Sequence, residues 1–179
     1  MKLYRFSPIQ TKEELLQALE YIHVACHQLC KQSFGEYLPV AANIGIFCHY
    51  DDEFERLVKF RDELADVNDN WKQKYYRLFE PLTFPAKDGI PAATYTHLYI
   101  RFADPYRAQV GDADFVLAAE KYAPLKESLL NGAKVPGVRV YTGETKLDMI
   151  ELYNPDVDAL SYVHMHSMED NVRAQAAGK

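Results

Sequence analysis

The spacing of apolar residues in the first part of the chain predicts a long amphipathic helix. Apolar side chains recur every three or four residues between positions 15 and 30, which is the spacing of one helix face. Thr11 and Glu14 stand ahead of them as a capping box, which satisfies backbone N–H groups of the first turn. We therefore predict a helix that ends near Gly35, preceded by a strand over residues 2–9.

The rest of the chain alternates between strand-like and helix-like patterns. A second helix is predicted to open at Asp52 and to end around Asp66. A third helix is predicted to end at Gly132, with Pro124 in its first turn. Further strands are predicted over residues 40–50, 76–80, 95–102, 113–117, 138–141, 147–153 and 158–164.

This order of elements predicts an α+β fold. We expect a mostly antiparallel mixed sheet with about three helices packed on it. Residues 1–166 are predicted to form a single domain, and residues 167–179 a polar C-terminal tail that is a frayed helix or disordered.

Composition indicates an ordinary globular protein and restricts the partners it is expected to have. Its 179 residues are 48% hydrophobic and 26% charged, which is enough for a self-sufficient core. The 20 Lys and Arg residues against 26 Asp and Glu give a net charge of −6, which opposes general binding to nucleic-acid phosphates. The 13 tyrosines combine apolar area with a hydroxyl group, a property suited to pockets and interfaces.

The cysteines and the apolar runs bear on the expected location of the protein. Cys26, Cys30 and Cys48 are odd in number and lack the spacing of a disulfide framework, which favours a reducing compartment. The N-terminus lacks the apolar stretch of a signal peptide, and no apolar run approaches the length of a membrane span. We expect a soluble, cytoplasmic protein without a membrane partner.

The predicted strand over residues 95–102 carries polar groups on one face. Because successive side chains of a strand point to opposite faces, Tyr95, His97, Tyr99 and Arg101 are expected to share a face. Such a face is either a ligand-binding floor or a hydrogen-bonded solvent face. In the first case, His97 and Arg101 are candidate catalytic groups, and Tyr95, Tyr99 and Arg107 are candidate substrate-binding groups.

Three acidic residues follow this strand and form a candidate metal site. Asp112 and Asp114 are expected to project from the same side of one strand, and Asp148 opens a later strand. If the two strands are neighbours, the three carboxylates converge. Hard oxygen ligands suit Mg²⁺ or Mn²⁺, which leave coordination positions open for substrate phosphates.

The acidic pattern resembles that of the nucleotidyltransferase superfamily, which carries Asp-x-Asp on one strand and a third acid on another. The resemblance covers about residues 100–152. It implies Asp112, Asp114 and Asp148 as metal ligands, and it implies metal-dependent phosphoryl or nucleotidyl transfer.

A second resemblance concerns Ile150-Glu151-Leu152-Tyr153-Asn154-Pro155-Asp156. It looks like the end of a vicinal-oxygen-chelate (glyoxalase-like) module, in which a strand glutamate binds a metal ahead of a turn. This resemblance implies Glu151 as a metal ligand, with His97 as a possible strand histidine.

Two histidine-containing groups have simpler explanations than metal binding. On the first helix, His23, Cys26, His27 and Cys30 lie on one side, and the cysteines share the apolar stripe, which favours a core position over a zinc site. His164 and His166 share a face if they are extended. They are expected to be a strand-end pair unless a third ligand completes a metal site.

The sequence leaves more than one class of function open, and it leaves open whether the protein is an enzyme. One hypothesis is a metal-dependent small-molecule or nucleotide enzyme with its site on the polar sheet face. A second is a non-catalytic binding or protein-interaction module that uses a tyrosine-rich acidic surface, with possible self-association. A third is a small-molecule sensor with an aromatic cavity.

Overall fold

A computed structural model describes residues 4–66, 75–141 and 149–177. These residues form four helices and seven strands. The helices are α1 (Lys12–Phe34), α2 (Asp51–Leu64), α3 (Ala119–Leu130) and α4 (Met168–Ala177). The strands are β1 (Val40–Phe47), β2 (Tyr76–Phe84), β3 (Ala93–Arg101), β4 (Gly111–Val116), β5 (Val138–Val140), β6 (Ile150–Leu152) and β7 (Ser161–His164).

All seven strands belong to one mixed sheet with the order β2-β3-β1-β4-β7-β6-β5. The pairs β1–β3 and β4–β7 are parallel, and the other four pairs are antiparallel. The fold is therefore α+β with a mostly antiparallel mixed sheet, which confirms the predicted class.

Helix α1 covers the apolar face of the sheet. Ile44 of β1 pairs with Ala113 of β4, and both side chains are fully buried beneath the helix layer. Gly111 of β4 has no side chain where Ile22 of α1 approaches, and an added Cβ would collide with it. Close contact between α1 and β4 therefore depends on glycine at this position.

The predicted ends of α1 are confirmed. The N–H of Glu14 donates to Oγ1 of Thr11 at 3.1 Å, which is the N-cap half of the capping box. At the other end, Gly35 adopts the left-handed conformation with φ 72° and its N–H donates to the Lys31 carbonyl. Glycine is favoured there because it has no Cβ to clash in that conformation.

The histidines and cysteines of α1 are core residues, as the apolar stripe predicts. Nδ1 of His23 lies 3.0 Å from the Tyr95 hydroxyl, and the Cys26 thiol donates to the Leu160 carbonyl. Burial lowers the pKa of His23 to about 4, with a further contribution from His27. The imidazole is therefore neutral at pH 7, and these groups stabilise the packing of α1.

The predicted N-terminal strand over residues 2–9 is wrong for the part that the structure describes. Residues 4–9 form bends and do not join the sheet. Their polar groups bond to neighbouring segments instead, because Oγ of Ser7 lies 2.6 Å from Nδ1 of His49 and the N–H of Ile9 donates to Glu53 of α2. Phe6 packs on Tyr21 of α1 and Arg5 bonds Asp158, so this segment contacts several elements without pairing with a strand.

The predicted position of Pro124 needs correction. Pro124 lies inside α3, at its sixth residue, rather than in its first turn, and its side chain is exposed. The C-terminal tail, for which the sequence predicts a frayed helix or disorder, contains the fourth helix, α4, and Oγ of Ser167 accepts from the N–H of Asp170 at its start. The predicted single domain over residues 1–166 stays a prediction.

Among the described residues, none of the helices has the length and apolar character that crossing a bilayer requires.

Candidate functional site

The sheet face opposite α1 carries one polar side chain from each strand, and we call this set the polar row. Cross-strand register and two hydrogen bonds place its members side by side. The five central members are buried and the two end members are exposed. From β2 to β5, the row consists of Arg77, His97, Asn43, Asp114, Tyr162, Glu151 and Arg139.

Asp114 is the hydrogen-bonded centre of the polar row. Nδ2 of Asn43 donates to its Oδ2 at 2.7 Å, and Nε2 of His164 lies 3.1 Å from the same oxygen. The backbone N–H of Tyr162 donates to Oδ1 at 3.3 Å. Both oxygens of Asp114 are thus engaged, and this carboxylate links β1, β4 and β7.

Asp112 lies two residues earlier on β4 and has a different environment. Its side chain is buried, and its Oδ1 has no hydrogen-bond partner within the described residues. Burial raises the pKa of Asp112 well above its ordinary value, and the nearby charge of Asp114 raises it further. Arg101 and Arg107 oppose this shift. The carboxyl group therefore keeps its proton to a higher pH than an exposed aspartate does.

Three tyrosines lie near Asp112. The rings of Tyr75 and Tyr99 are 5.2 Å apart, and Tyr99 pairs with Gly45, which also pairs with Asp112. Burial raises the pKa of Tyr75, Tyr99 and Tyr162, and the charge of Asp112 raises each further. These phenols therefore stay protonated at neutral pH and are able to donate hydrogen bonds.

A cleft of about 490 Å³ opens beside the polar row. Its lining includes the end of β3, the loop before β4, and the inner residues of β5, β6 and β7. Three arginines and three tyrosines dominate its chemistry, namely Arg101, Arg107, Arg139, Tyr106, Tyr141 and Tyr162. Leu160, which is buried and bridges to Asp112 across the strands, lines the inner end of the cleft, and Asp112 lies beside it, outside the lining.

The structure brings together several of the residues singled out from the sequence. Arg101 and Arg107 line the cleft, and Tyr99 and Asp112 lie on the same face of the sheet next to it. His97 lies on the polar row beside Asn43, with its Nδ1 2.9 Å from the Thr96 hydroxyl, and it does not line the cleft. Burial and then the charge of Arg77 lower the pKa of His97.

Tyr95 does not share the polar face, contrary to the sequence prediction. Its side chain is fully buried against α1, where its hydroxyl meets His23. The strands are irregular at this level, because Ala42 of β1 has φ 69° and the β2–β3 register shifts between Arg77 and Leu82. Tyr95 pairs with Leu82, beyond this shift, and does not continue the face that His97 and Tyr99 share.

The predicted acidic trio is only partly described. Asp112 and Asp114 share one side of β4, and Asp148 lies outside the described residues. Within those residues, no three or more His, Cys, Asp or Glu side chains are grouped so that they could hold a metal ion. The three-carboxylate site therefore stays a prediction.

The glyoxalase-like ligand pair is not brought together. Glu151 on β6 is bound by Arg139, whose Nε donates to its Oε1 at 2.7 Å. Strands β1, β4 and β7 separate Glu151 from His97 on β3. Of the C-terminal histidines, His164 bonds Asp114, while His166 lies beyond the end of β7 and is exposed.

Sequence reasoning missed four residues of this face. Asn43, Gly45 and Tyr162 belong to the polar row or to the space beside it, and Arg139 closes the row and lines the cleft. The only available signal was the polar alternation within β1 and β7. Assigning it a role required the strand order.

Comparisons with known proteins inform the fold. No protein-family model and no curated protein matches the chain. A solved structural-genomics protein designated EC4020 has a TM-score of 0.63 at 15% identity, and the match covers 98% of this chain and 98% of that protein. This similarity shows a shared fold.

Two other solved structures overlap less. A glyoxalase/bleomycin resistance protein/dioxygenase superfamily member from Vibrio splendidus has a TM-score of 0.34 at 11% identity, covering 70% of this chain and 97% of its own. FosX, a fosfomycin resistance protein from Listeria monocytogenes complexed with Mn(II) and sulfate, has a TM-score of 0.28 at 12% identity, with coverages of 73% and 93%. Overlap at this level supports no conclusion about this chain.

Proposed function

We propose that the protein binds a small organic molecule in the cleft beside the polar row, and that Asp112 exchanges a proton with that molecule. The observation that carries the proposal is the buried Oδ1 of Asp112, which has no hydrogen-bond partner within the described residues. A buried polar atom without a partner is costly, and a bound ligand would remove that cost.

Two other buried polar atoms on this face also lack hydrogen-bond partners among the described residues, and they bear on which polar groups such a ligand would carry. Oδ1 of Asn43 is a second buried acceptor without a partner among the described residues, and Nε of Arg107 is a buried donor in the same state. Of these three atoms, Nε of Arg107 belongs to a residue that lines the cleft and Oδ1 of Asp112 lies beside it, so the ligand would carry an acceptor toward Arg107 and a hydrogen-bond donor toward Asp112. This combination favours a polar metabolite over an apolar one.

The chemistry proposed for Asp112 is general acid–base catalysis. A carboxyl group with a raised pKa holds a proton that it is able to deliver, and the carboxylate that remains is able to take a proton back. The positive charges of Arg101 and Arg107 would stabilise the carboxylate during that exchange. Asp114, with both oxygens hydrogen-bonded, is proposed as a positioning residue for β4.

Metal-dependent phosphoryl or nucleotidyl transfer has less support. Asp112 offers a free oxygen to a hard cation such as Mg²⁺ or Mn²⁺, whereas the oxygens of Asp114 accept hydrogen bonds from Asn43 and Tyr162. A metal ion would therefore need ligands beyond these two residues. No step of the proposed proton transfer depends on a metal.

A melting-temperature screen tests the proposal. The screen compares wild type with Asp112→Asn and with the control Asp62→Asn, on the exposed side of α2. Each protein is tested with organic acids, amines, sugars and nucleotides, in the presence of EDTA, Mg²⁺ or Mn²⁺. We expect at least one compound to stabilise wild type and Asp62→Asn but not Asp112→Asn. NMR of that compound should then show conversion, or solvent exchange of a carbon-bound proton, with wild type alone. Stabilisation that is equal in all three proteins would contradict the role of Asp112, and binding without conversion or exchange would favour the non-catalytic binding module.

A further inference from the structure

We infer that the molecule bound in the cleft carries an oxyanion, a carboxylate or a phosphate group, held between Arg101 and Arg107. This inference rests on the proposed function, because it names the chemical class of ligand for the same cleft. Two observations support it: the two guanidinium groups lie near the same ring, and the described residues do not supply them with full hydrogen-bond acceptors.

The two guanidinium groups converge on one aromatic ring. Their central carbons each lie 5.2 Å from the centroid of the Phe47 ring at the end of β1. Arg101 reaches this ring from the end of β3, with which Phe47 is in register, and Arg107 reaches it from the loop before β4. Both guanidinium groups carry positive charge, so an anion bound between them would be attracted by both and would offset their mutual repulsion.

Hydrogen bonds hold the loop backbone at Arg107 in place. The Arg107 N–H donates to the Asp104 carbonyl at 3.2 Å, and Nε2 of His49 lies 3.0 Å from the Arg107 carbonyl oxygen. The Asp104 N–H in turn donates to the Cys48 carbonyl at 3.0 Å. The loop is therefore tied to the end of β1, so Arg107 is a preorganised part of the cleft.

The described residues do not satisfy these two arginines. Nε of Arg107 is buried without a hydrogen-bond acceptor, and its ion pair with Asp104 spans 3.7 Å to a carboxylate that is 40% exposed. No hydrogen bond or ion pair within the described residues engages the guanidinium of Arg101. Glu151, the other carboxylate of the cleft, is bound to Arg139.

The chemistry of guanidinium selects the class of ligand. Its planar N–H groups match the two oxygens of a carboxylate or phosphate, and paired N–H···O bonds of this kind are stronger than neutral hydrogen bonds. With this oxyanion at Arg101 and Arg107, the remainder of a small molecule would extend toward Leu160 and the inner end of the cleft. Its donor groups would then meet Asp112.

NMR titration tests the inference. The titration follows the arginine side-chain Nε–Hε resonances in wild type, Arg101→Gln, Arg107→Gln and Arg101→Lys. Each protein is titrated with inorganic phosphate, succinate and uncharged succinamide at constant ionic strength. Lys87→Gln is the control, because it removes one exposed positive charge near α1, on the other side of the sheet. Backbone spectra of each variant establish that it is folded.

We expect phosphate or succinate to shift the Arg107 signal of wild type and Lys87→Gln with saturation, and succinamide to have no effect. Either glutamine variant should weaken binding by at least tenfold, and Arg101→Lys by less. Equal binding of succinamide, or unchanged anion binding in both glutamine variants, would overturn the inference.

The compound found in the melting screen separates the two proposals. If its binding needs Asp112 but neither arginine, the oxyanion inference fails alone; if it needs both arginines but not Asp112, the proton-transfer proposal fails alone.

Discussion

Gly45 of β1 lies between Tyr99 of β3 and Asp112 of β4, and the Asp112 carboxyl group occupies the space that a side chain at Gly45 would fill. The backbone of β1 at Gly45 thus packs directly against the Asp112 carboxyl group. Close approach favours glycine here, because an added Cβ would collide with Oδ1 of Asp112 and force that carboxyl group to move.

Gly45→Ala should therefore destabilise the protein by about 1–3 kcal/mol, the usual cost of overpacking a filled interior. Urea unfolding measures the loss. In the Asp112→Ala background, the same substitution should cost much less, because the carboxyl group that it displaces is gone. An equal cost in both backgrounds would mean that Asp112 does not occupy this space.

The hydrogen bonds at Asp114 predict a coupled pair of residues. Asn43→Ala removes the 2.7 Å donor to Oδ2 and leaves a buried carboxylate with one fewer partner, which should cost about 1–3 kcal/mol in urea unfolding. The cost should change when His164 is also replaced by alanine, because both side chains bond the same oxygen. Thr83→Ala, at the exposed pair with Thr94, is the control and should have little effect. Strict additivity of the Asn43 and His164 substitutions would argue against a shared acceptor.

The raised pKa of Asp112 predicts that its ionisation lowers the free energy of unfolding as the pH rises. The native state retains this proton above the ordinary value of 3.8, at which the unfolded state releases it. Between the two pKa values, the native state binds more protons, so the contribution of Asp112 to stability falls as pH rises. Relative to wild type, Asp112→Asn should therefore gain stability as pH increases from about 3.8 through the raised native pKa, and the difference should then level off.

Urea unfolding of both proteins between pH 4 and pH 8 measures this difference. Asp62→Asn, an exposed carboxyl-to-amide substitution on α2, is the control for the change of side chain itself. A flat difference between Asp112→Asn and wild type would mean that Asp112 ionises normally.

The sequence predicted features that depend on local chemistry. The capping box at Thr11 and the glycine at position 35 act within one turn of α1, so their residues are adjacent in sequence and readable from it. The α+β class followed from the same kind of periodicity. The tail helix α4 also begins with a local cap at Ser167, a signal present in the sequence.

The polar row could not be predicted in the same way. Its central contact joins Asn43 to Asp114, which are 71 residues apart, and depends on β1 and β4 being neighbours. Without the strand order, Asp112 and Asp114 look equivalent. The structure separates them, because only Asp112 keeps an oxygen without a partner among the described residues.

The position of Tyr95 gives a prediction that tests this corrected view of β3. Tyr95→Phe removes a buried hydroxyl that bonds His23 and should cost about 1 kcal/mol of stability. Ligand binding in the cleft should be unchanged, because Tyr95 faces α1. Tyr162→Phe is the matched substitution on the cleft side and should weaken binding. Titration calorimetry with the compound identified by the melting screen distinguishes the two, and loss of binding in Tyr95→Phe would place that residue back at the site.

The role of Asp112 is tested most directly by carbon-detected NMR of its side-chain carboxyl group, assigned by comparison with Asp112→Asn. Its resonance is followed through a pH titration, first without ligand and then with the stabilising compound. We predict titration well above the ordinary aspartate range in the free protein and a change in that titration on binding. An ordinary titration that the compound leaves unchanged would contradict the assignment of Asp112 as the proton-exchanging group of a ligand site.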